Sequence, residues 1–303
     1  MTKILIIGAG AWGSTLGNLL LKNDHDVKYW HRHSSDNLET LLTEDVKIII
    51  SAVSMSGVNS VVNEVKKFIL PETILVTATK GLDSITTNTP SQIWQNALPN
   101  HSIVILSGPN LAKEIQQGLP AATVVASNNM EAAETIQKLF SSSIFRVYTN
   151  NDPLGVELGG TLKNVMAIAA GTCDGLELGT NAKAALLTRG LTEIIRVGNH
   201  WGAKTETFYG LSGLGDLLAT CNSNLSRNYQ VGYQLAKGEK LADILTNLQG
   251  TAEGVNTTKV LMQRATNQNI YVPITDLVSQ LLAGEITPQY AVFALMLRES
   301  RPE

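Results

Sequence analysis

Ile4 to Ile7 form a short apolar run that leads straight into Gly8, Gly10 and Gly13 at G-x-G-x-x-G spacing. Leu16, Leu19 and Leu20 then recur at helical spacing. A short, continuous apolar run of this kind reads as a parallel strand buried on both faces. Strand, glycine turn and helix in this order make up the fingerprint of a dinucleotide-binding βαβ unit. Gly8 permits the tight turn, Gly10 lets backbone approach a pyrophosphate, and Gly13 lets the helix pack close to the strand. The helix N-terminus then presents free N–H groups and its positive dipole end to phosphate.

The fingerprint places a second landmark at the tip of the next strand, which reads as Asp26 to Trp30. Sites for NAD carry an Asp or Glu there, to bind the ribose 2′-hydroxyl. This chain carries His31-Arg32-His33 instead. Arg32 suits a 2′-phosphate, because its guanidinium fork can bond phosphate through two N–H groups. The expected cofactor is therefore NADPH, with NADH possible. The His-x-His pair has no third ligand nearby, so no metal is expected; the pair is read as phosphate pocket or surface.

A chain of 303 residues is too long for one small core and suggests two domains. With 44% hydrophobic and 16% charged residues it should be well packed. A net charge of −3 leaves no electrostatic footprint for nucleic acid. No apolar run reaches the roughly 18 residues of a membrane span, and the N-terminal stretch is too short and glycine-broken for a signal peptide. No membrane insertion and a cytoplasmic location are expected. Cys173 and Cys221, isolated from each other, read as core residues of a reducing compartment.

Strand-like runs at 46–53, 74–79, 103–106 and 123–126 alternate with helical periodicity at 58–68, 89–97 and 130–140. Such alternation predicts an α/β fold with a Rossmann-type doubly wound parallel sheet. After Asp152-Pro153 the strand signals nearly vanish. Helical segments are expected at 155–171, 181–201, 228–237, 241–248, 254–267 and 274–282. The division is placed after residue 152: a dinucleotide-binding domain at 1–152 and an all-α substrate and catalytic domain at 153–303.

Ligands of open α/β sheets sit outside the carboxyl ends of the strands. Ser54, Lys80-Gly81 and Ser107-Gly108-Pro109-Asn110 all follow strand-like runs. Lys80 is either an ordinary turn residue or a crevice cation beside a bound anion. Further on, Lys163 enters a helix that is apolar almost all round, which implies burial. Desolvation lowers a lysine pKa toward the range useful for proton transfer. Gly159 and Gly160 each weaken a helix by roughly 1 kcal/mol relative to alanine, which suggests close approach by a neighbour or a ligand. Asp216 is the only charge in the glycine-rich segment 209–220. It is either an N-cap, an orienting partner for Lys163, or an acceptor for a substrate hydroxyl. Ser226 reads as an N-cap, and Arg227 with Asn228 at that helix start could hold a small anion. Glu253-Gly254 marks another loop-to-helix start.

Gly8-Ala-Gly-Ala-Trp-Gly13, Ala78-Thr-Lys-Gly-Leu82, Ser107-Gly-Pro109, Glu157-Leu-Gly-Gly-Thr-Leu-Lys-Asn164, Gly213-Leu-Gly-Asp216, Ser226-Arg-Asn228 and Glu253-Gly254 occur together and in order. Along nearly its whole length the chain closely resembles bacterial NAD(P)-dependent glycerol-3-phosphate dehydrogenase. That resemblance implies reversible reduction of dihydroxyacetone phosphate to sn-glycerol 3-phosphate, which feeds phospholipid synthesis, and a homodimer. It implies Lys163 as the acid/base at the C2 oxygen, with Asp216 beside it. It implies substrate contacts from Lys80, Gly108, Asn110, Lys163, Asp216, Ser226, Arg227 and Asn228, the phosphate lying near Arg227 and Asn228. Cofactor contacts are implied for Gly8, Gly10, Trp12, Gly13, Arg32, His33, Lys80, Ala112, Arg227, Thr251 and Glu253. The chain departs from the family pattern in a short, polar 30–46 segment, in Asn110 where Ser or Thr is usual, in Leu111 where an aromatic is usual, and in Thr251 for an apolar residue. Two other classes remain compatible with the residues alone. One is a different two-domain dehydrogenase, such as a hydroxyacid dehydrogenase or a ketopantoate reductase. The other is a non-catalytic NADPH sensor.

Overall fold

The computed structural model describes residues 1–43 and 45–297. β1 (Lys3–Ile7), α1 (Ala11–Lys22), β2 (Asp26–Trp30), α2 (Leu38–Thr43), β3 (Ile48–Ser51), α3 (Val58–Val65) and β4 (Ile74–Thr77) come first. They are followed by α4 (Pro90–Ala97), β5 (Ile103–Ser107), α5 (Ala112–Gln116), β6 (Ala121–Ala126), α6 (Met130–Phe140) and β7 (Phe145–Asn150). The sheet order is β2-β1-β3-β4-β5-β6-β7. Because β2 lies on one side of β1 and β3 on the other, the order reverses at β1. In open α/β sheets it is at such a reversal, outside the carboxyl ends of the strands, that ligands bind.

β1 to β5 are parallel. β6 pairs antiparallel with β5, and β7 runs parallel to β6. The sheet is thus mostly parallel rather than wholly so. The reason lies in α5, whose five residues rise only about 7–8 Å. That is too short to carry the chain back along a strand of roughly 16 Å, so β6 starts where β5 ended. Both faces of the sheet are covered, which is why its central strands read as continuous apolar runs. Ile4, Ile6, Ile50 and Val76 pack with Leu16, Leu20, Ile136 and Phe140 on one face. Leu5, Ile7, Ile49 and Leu75 pack with Val58, Val62 and Trp94 on the other.

Beyond the sheet the chain is helical: α7 (Pro153–Gly175), α8 (Gly179–His200), α9 (Asp216–Cys221), α10 (Arg227–Ala236), α11 (Leu241–Asn247), α12 (Glu253–Asn267), α13 (Pro273–Ala283) and α14 (Pro288–Met296). A second core, including Leu162, Val165, Ile168, Val197, Phe208 and Val260, surrounds α7. From Gly155 to Cys173 only Ala169 is not buried, as expected of a helix that is apolar all round. α10 crosses α7 backbone to backbone: a side chain at Gly232 would collide with the Ile168 carbonyl, and one at Gly171 with the Tyr229 carbonyl. No helix among the described residues is long and apolar enough to cross a membrane.

α7 is also fastened to the sheet layer. The buried Glu157 carboxylate accepts from Ser91 N at 2.8 Å and from Ser91 Oγ at 2.5 Å, in the first turn of α4. Burial raises the Glu157 pKa, and bonds from Ser91 and Thr89 oppose that rise.

Candidate active site

Three elements bring three charges to one point. Lys80 stands just beyond β4, Lys163 on α7, and Asp216 at the first residue of α9. Asp216 is only 2% exposed. Its Oδ1 lies 2.9 Å from Lys163 Nζ, and its Oδ2 accepts from Lys80 Nζ at 2.6 Å. Lys80 Nζ also donates to the Gly108 carbonyl at 3.2 Å. Lys163 Nζ donates to Thr220 Oγ1 at 2.5 Å, and that hydroxyl donates to Asp216 Oδ1 at 3.1 Å. Asp216 does not cap its helix, whose N-cap is Gly215; its carboxylate instead holds two lysines.

The electrostatics follow from burial and spacing. Burial drives the Lys163 pKa down from 10.5 to about 8; Asp216 opposes this and Lys80 adds to it. Burial acts to raise the Asp216 pKa, but the ammonium groups of Lys163 and Lys80 outweigh it and hold the carboxyl below its ordinary value. An amine whose pKa lies close to neutrality can both give and take a proton under ordinary conditions.

The glycines explain how the groups come so close. Leu211–Gly215 is a π-helical turn, a distortion frequent at functional sites. A side chain at Gly213 would collide with the Phe208 carbonyl. A Cβ at Gly159 would lie 2.7 Å from the Ser212 carbonyl oxygen, so this glycine lets the turn press onto α7. A Cβ at Gly160 would lie 3.3 Å from Lys80 Cε and would collide with Ser107 Oγ. Thr161 completes the contact: its Oγ1 accepts from Gly81 N at 3.1 Å. Thus α7 carries Lys163 and also seats the turn that carries Lys80.

The glycine turn after β1 has the shape its spacing predicts. Gly8 has φ +106°, and a Cβ there would lie 2.8 Å from the Ala52 carbonyl oxygen across the β1/β3 crevice. A side chain at Gly13 would collide with the Gly8 carbonyl. Gly10 caps α1 without any side-chain hydrogen bond, so the helix N-terminus is left to backbone N–H groups. These features fit a dinucleotide pyrophosphate, because Gly8 and Gly13 let the turn close tightly while Gly10 faces open space at the helix N-terminus. Gly13→Ala is expected to force the turn open and to abolish measurable NADPH binding in fluorescence titration, with the helical half still folded.

Arg32 and His33 lie exposed beyond the tip of β2, and Arg32 Nε donates to His33 Nε2 at 3.1 Å. The Gly8 N–H bonds the Trp30 carbonyl at 2.9 Å, which places this pair beside the glycine turn. Trp12 is half-buried in the first turn of α1, and Ala112 opens α5.

A third corner gathers around the start of α10. Ser226 Oγ accepts from Tyr229 N at 3.2 Å, the cap its position predicts. Arg227 is exposed, and its Nη1 lies 2.5 Å from where a Gly250 Cβ would sit. Thr251 is exposed next to it. Asn228 is buried: it donates to Asn164 Oδ1 at 3.0 Å and accepts from Gly254 N at 2.9 Å, locking α7, α10 and α12 together. Glu253 reaches back to the sheet layer, where its Oε1 accepts from Met55 N at 3.1 Å. Burial raises its pKa, and Met55 N and Arg227 oppose that rise.

Asn110 is placed differently from the rest. Its amide donates to the Ala122 carbonyl at 3.0 Å and accepts from Thr123 Oγ1 at 2.9 Å. The side chain is committed to β6 and does not join the Lys–Asp–Lys cluster. Thr220, Thr161 and Asn164, which sequence reading passed over, are contacts of that cluster or its supports. Thr220 had a usable signal, since it lies four residues after Asp216 and so shares its helix face.

Known proteins resemble the chain over its whole length. The family model described as NAD-dependent glycerol-3-phosphate dehydrogenase N-terminus matches residues 3–44 and 34–133, and the C-terminus model matches 152–293. The chain is 67% identical to the glycerol-3-phosphate dehydrogenase (NAD(P)+) of Trichormus variabilis, covering 100% of this chain and 98% of that one. It is 61% identical to the protein of that name from Synechocystis, covering 99% and 95%. The crystal structure of glycerol-3-phosphate dehydrogenase from Coxiella burnetii superposes with TM-score 0.94 at 34% identity, covering 98% of this chain and 99% of that one.

Proposed function

Because the chain belongs to the NAD-dependent glycerol-3-phosphate dehydrogenase family, we propose that it reversibly reduces dihydroxyacetone phosphate to sn-glycerol 3-phosphate, supplying glycerophospholipid synthesis. The observation that carries this reading is the buried Lys163, held 2.9 Å from Asp216 at the mouth of a dinucleotide crevice. A nicotinamide cofactor held at the Gly8–Gly13 turn would supply the hydride that reduces C2. Lys163 supplies the proton to the C2 oxygen and takes it back in the oxidative direction. Asp216 keeps the Lys163 amine aimed and compensates its charge. Lys80, turned from Asp216 toward the ligand, stabilises negative charge developing on the substrate oxygens.

Arg227 with Ser226 and Asn228 at the start of α10 binds the phosphate, through guanidinium, dipole and backbone N–H groups together. The Gly8–Gly13 turn, Trp12 and Ala112 line the cofactor, and Arg32 with His33 favours NADPH over NADH. Glu253 and Thr251, beside Arg227, close the cofactor site from the helical half. The nucleotide part ends at Asp152, and the protein acts in the cytoplasm as a homodimer.

The test is NADPH oxidation followed by absorbance, with dihydroxyacetone phosphate and with unphosphorylated dihydroxyacetone. Oxidation with the phosphate ester alone supports the assignment; oxidation with neither sinks it. Arg227→Ala should raise KM for dihydroxyacetone phosphate about 10- to 100-fold, the worth of a charged hydrogen bond. It should leave kcat at saturating dihydroxyacetone phosphate within a few-fold of wild type.

A further inference from the structure

Ser107 ends β5 at the carboxyl edge of the sheet, is 2% exposed, and its hydroxyl has no hydrogen-bond partner. Ser51 and Thr77, which end β3 and β4, share this condition, and a buried hydroxyl without a partner is a net cost to the fold; Ser107 is the one set against α7 and Lys80. The backbone around it belongs to the sheet, where Ser107 is paired with Val124 of β6. The hydroxyl points at the bare Cα of Gly160, where any side chain would collide with it, beside the Lys80 stem. Gly160 precedes Lys163 by three residues on the same face of α7, a separation of about 5–6 Å between side-chain origins. In a three-carbon substrate the C2 oxygen and the hydroxyl on the unphosphorylated end sit on adjacent carbons, so a hydrogen bond of about 3 Å from each oxygen lets one ligand reach both groups across that separation.

We propose that Ser107, packed against Gly160, is a specificity residue that hydrogen-bonds the terminal hydroxyl of the substrate. The Lys80 stem lies beside this hydroxyl while Lys80 is paired with Asp216. Turning Lys80 toward the ligand uncovers it. The inference rests on the dihydroxyacetone phosphate reading and adds the group that tells a hydroxymethyl ketone from a methyl ketone. A site built to bond a hydroxyl discriminates strongly against the analogue that lacks it, because the site's own polar group is then left unpaired.

The experiment compares wild type with Ser107→Ala on two substrates, dihydroxyacetone phosphate and hydroxyacetone phosphate, in which hydrogen replaces the terminal hydroxyl. Ser107→Ala should lower kcat/KM for dihydroxyacetone phosphate about tenfold or more and leave that for hydroxyacetone phosphate unchanged. Ser107→Cys, which keeps the volume but has a weak donor, should behave as alanine does. Neither change should lower the melting temperature, since the hydroxyl has no partner to lose. An equal loss on both substrates, or no loss on either, overturns the inference while leaving the reaction assigned. A wild-type protein inactive on dihydroxyacetone phosphate overturns both.

Discussion

Lys163→Ala is expected to lower kcat for dihydroxyacetone phosphate reduction about 10²–10⁴-fold, the usual worth of a positioned general acid, with NADPH binding unchanged. The reasoning starts from the helix. α7 is buried on nearly every face, so its one lysine side chain is carried into the interior, and burial brings the pKa down to about 8. Water cannot substitute readily for the amine at an 8% exposed side chain. The glycine turn that builds the cofactor site lies on a different element, in the sheet half, so the two properties should separate. Single-turnover absorbance and fluorescence titration measure them independently. A variant that keeps wild-type turnover would remove Lys163 from the chemistry and favour a sensor reading.

Asp216→Ala should cost about 3–5 kcal/mol of stability, because removing one partner of a buried ion pair leaves uncompensated charge inside. Here one carboxylate serves two ammonium groups, so both lysines lose their partner at once. The variant should also lose most of its turnover, since Lys163 is then oriented by Thr220 alone. Urea unfolding of variant and wild type at neutral pH measures the first effect. The sign with pH is fixed by the direction of the shift. The Asp216 pKa lies below its unfolded value of 3.8, so the carboxylate's contribution is fully present above that value. It is lost only as pH falls through the lower, folded value. An Asp216→Ala protein as stable as wild type at pH 7 would show that the cluster is not a coupled ion-pair unit.

Legibility in the sequence varied with how local each feature is. β2 (Asp26–Trp30) and α6 (Met130–Phe140) fall on the expected residues, β2 because the glycine fingerprint calls for a strand there and α6 because helical periodicity is written within a few residues. β7 (Phe145–Asn150) differs from the continuous apolar runs of the other strands: Phe145 and Val147 are buried and Arg146 and Tyr148 exposed, the alternation of a strand with one face in solvent. The antiparallel entry of β6 was illegible because a strand carries no mark of its direction; the short α5 sets it. α14 had no stretch assigned to it, and much of its apolar surface, at Phe293 and Met296, is exposed rather than packed.

The site divides in the same way. The glycine fingerprint and the Ser226 cap are local, and their spacing alone foretold their geometry. That Lys163 would be buried followed from the character of α7. The joining of Lys80, Lys163 and Asp216, which lie on three separate elements, was one alternative in the residues and otherwise came only from the family resemblance. Asn110 shows the opposite outcome. Its position after Gly108-Pro109 suggested a ligand contact, but Ala122 and Thr123 of the neighbouring strand take up its amide. Polar side chains at a strand end can serve the sheet as readily as a ligand.

The most direct test of the account is the pH dependence of the rate in both directions. In dihydroxyacetone phosphate reduction Lys163 must start protonated, so the rate should fall as pH rises through about 8. In glycerol 3-phosphate oxidation it must start neutral, so the rate should rise through that same value. Mirror-image profiles that vanish together in Lys163→Ala are the predicted result. Profiles that stay flat across this range in both directions would contradict the assignment of proton transfer to Lys163.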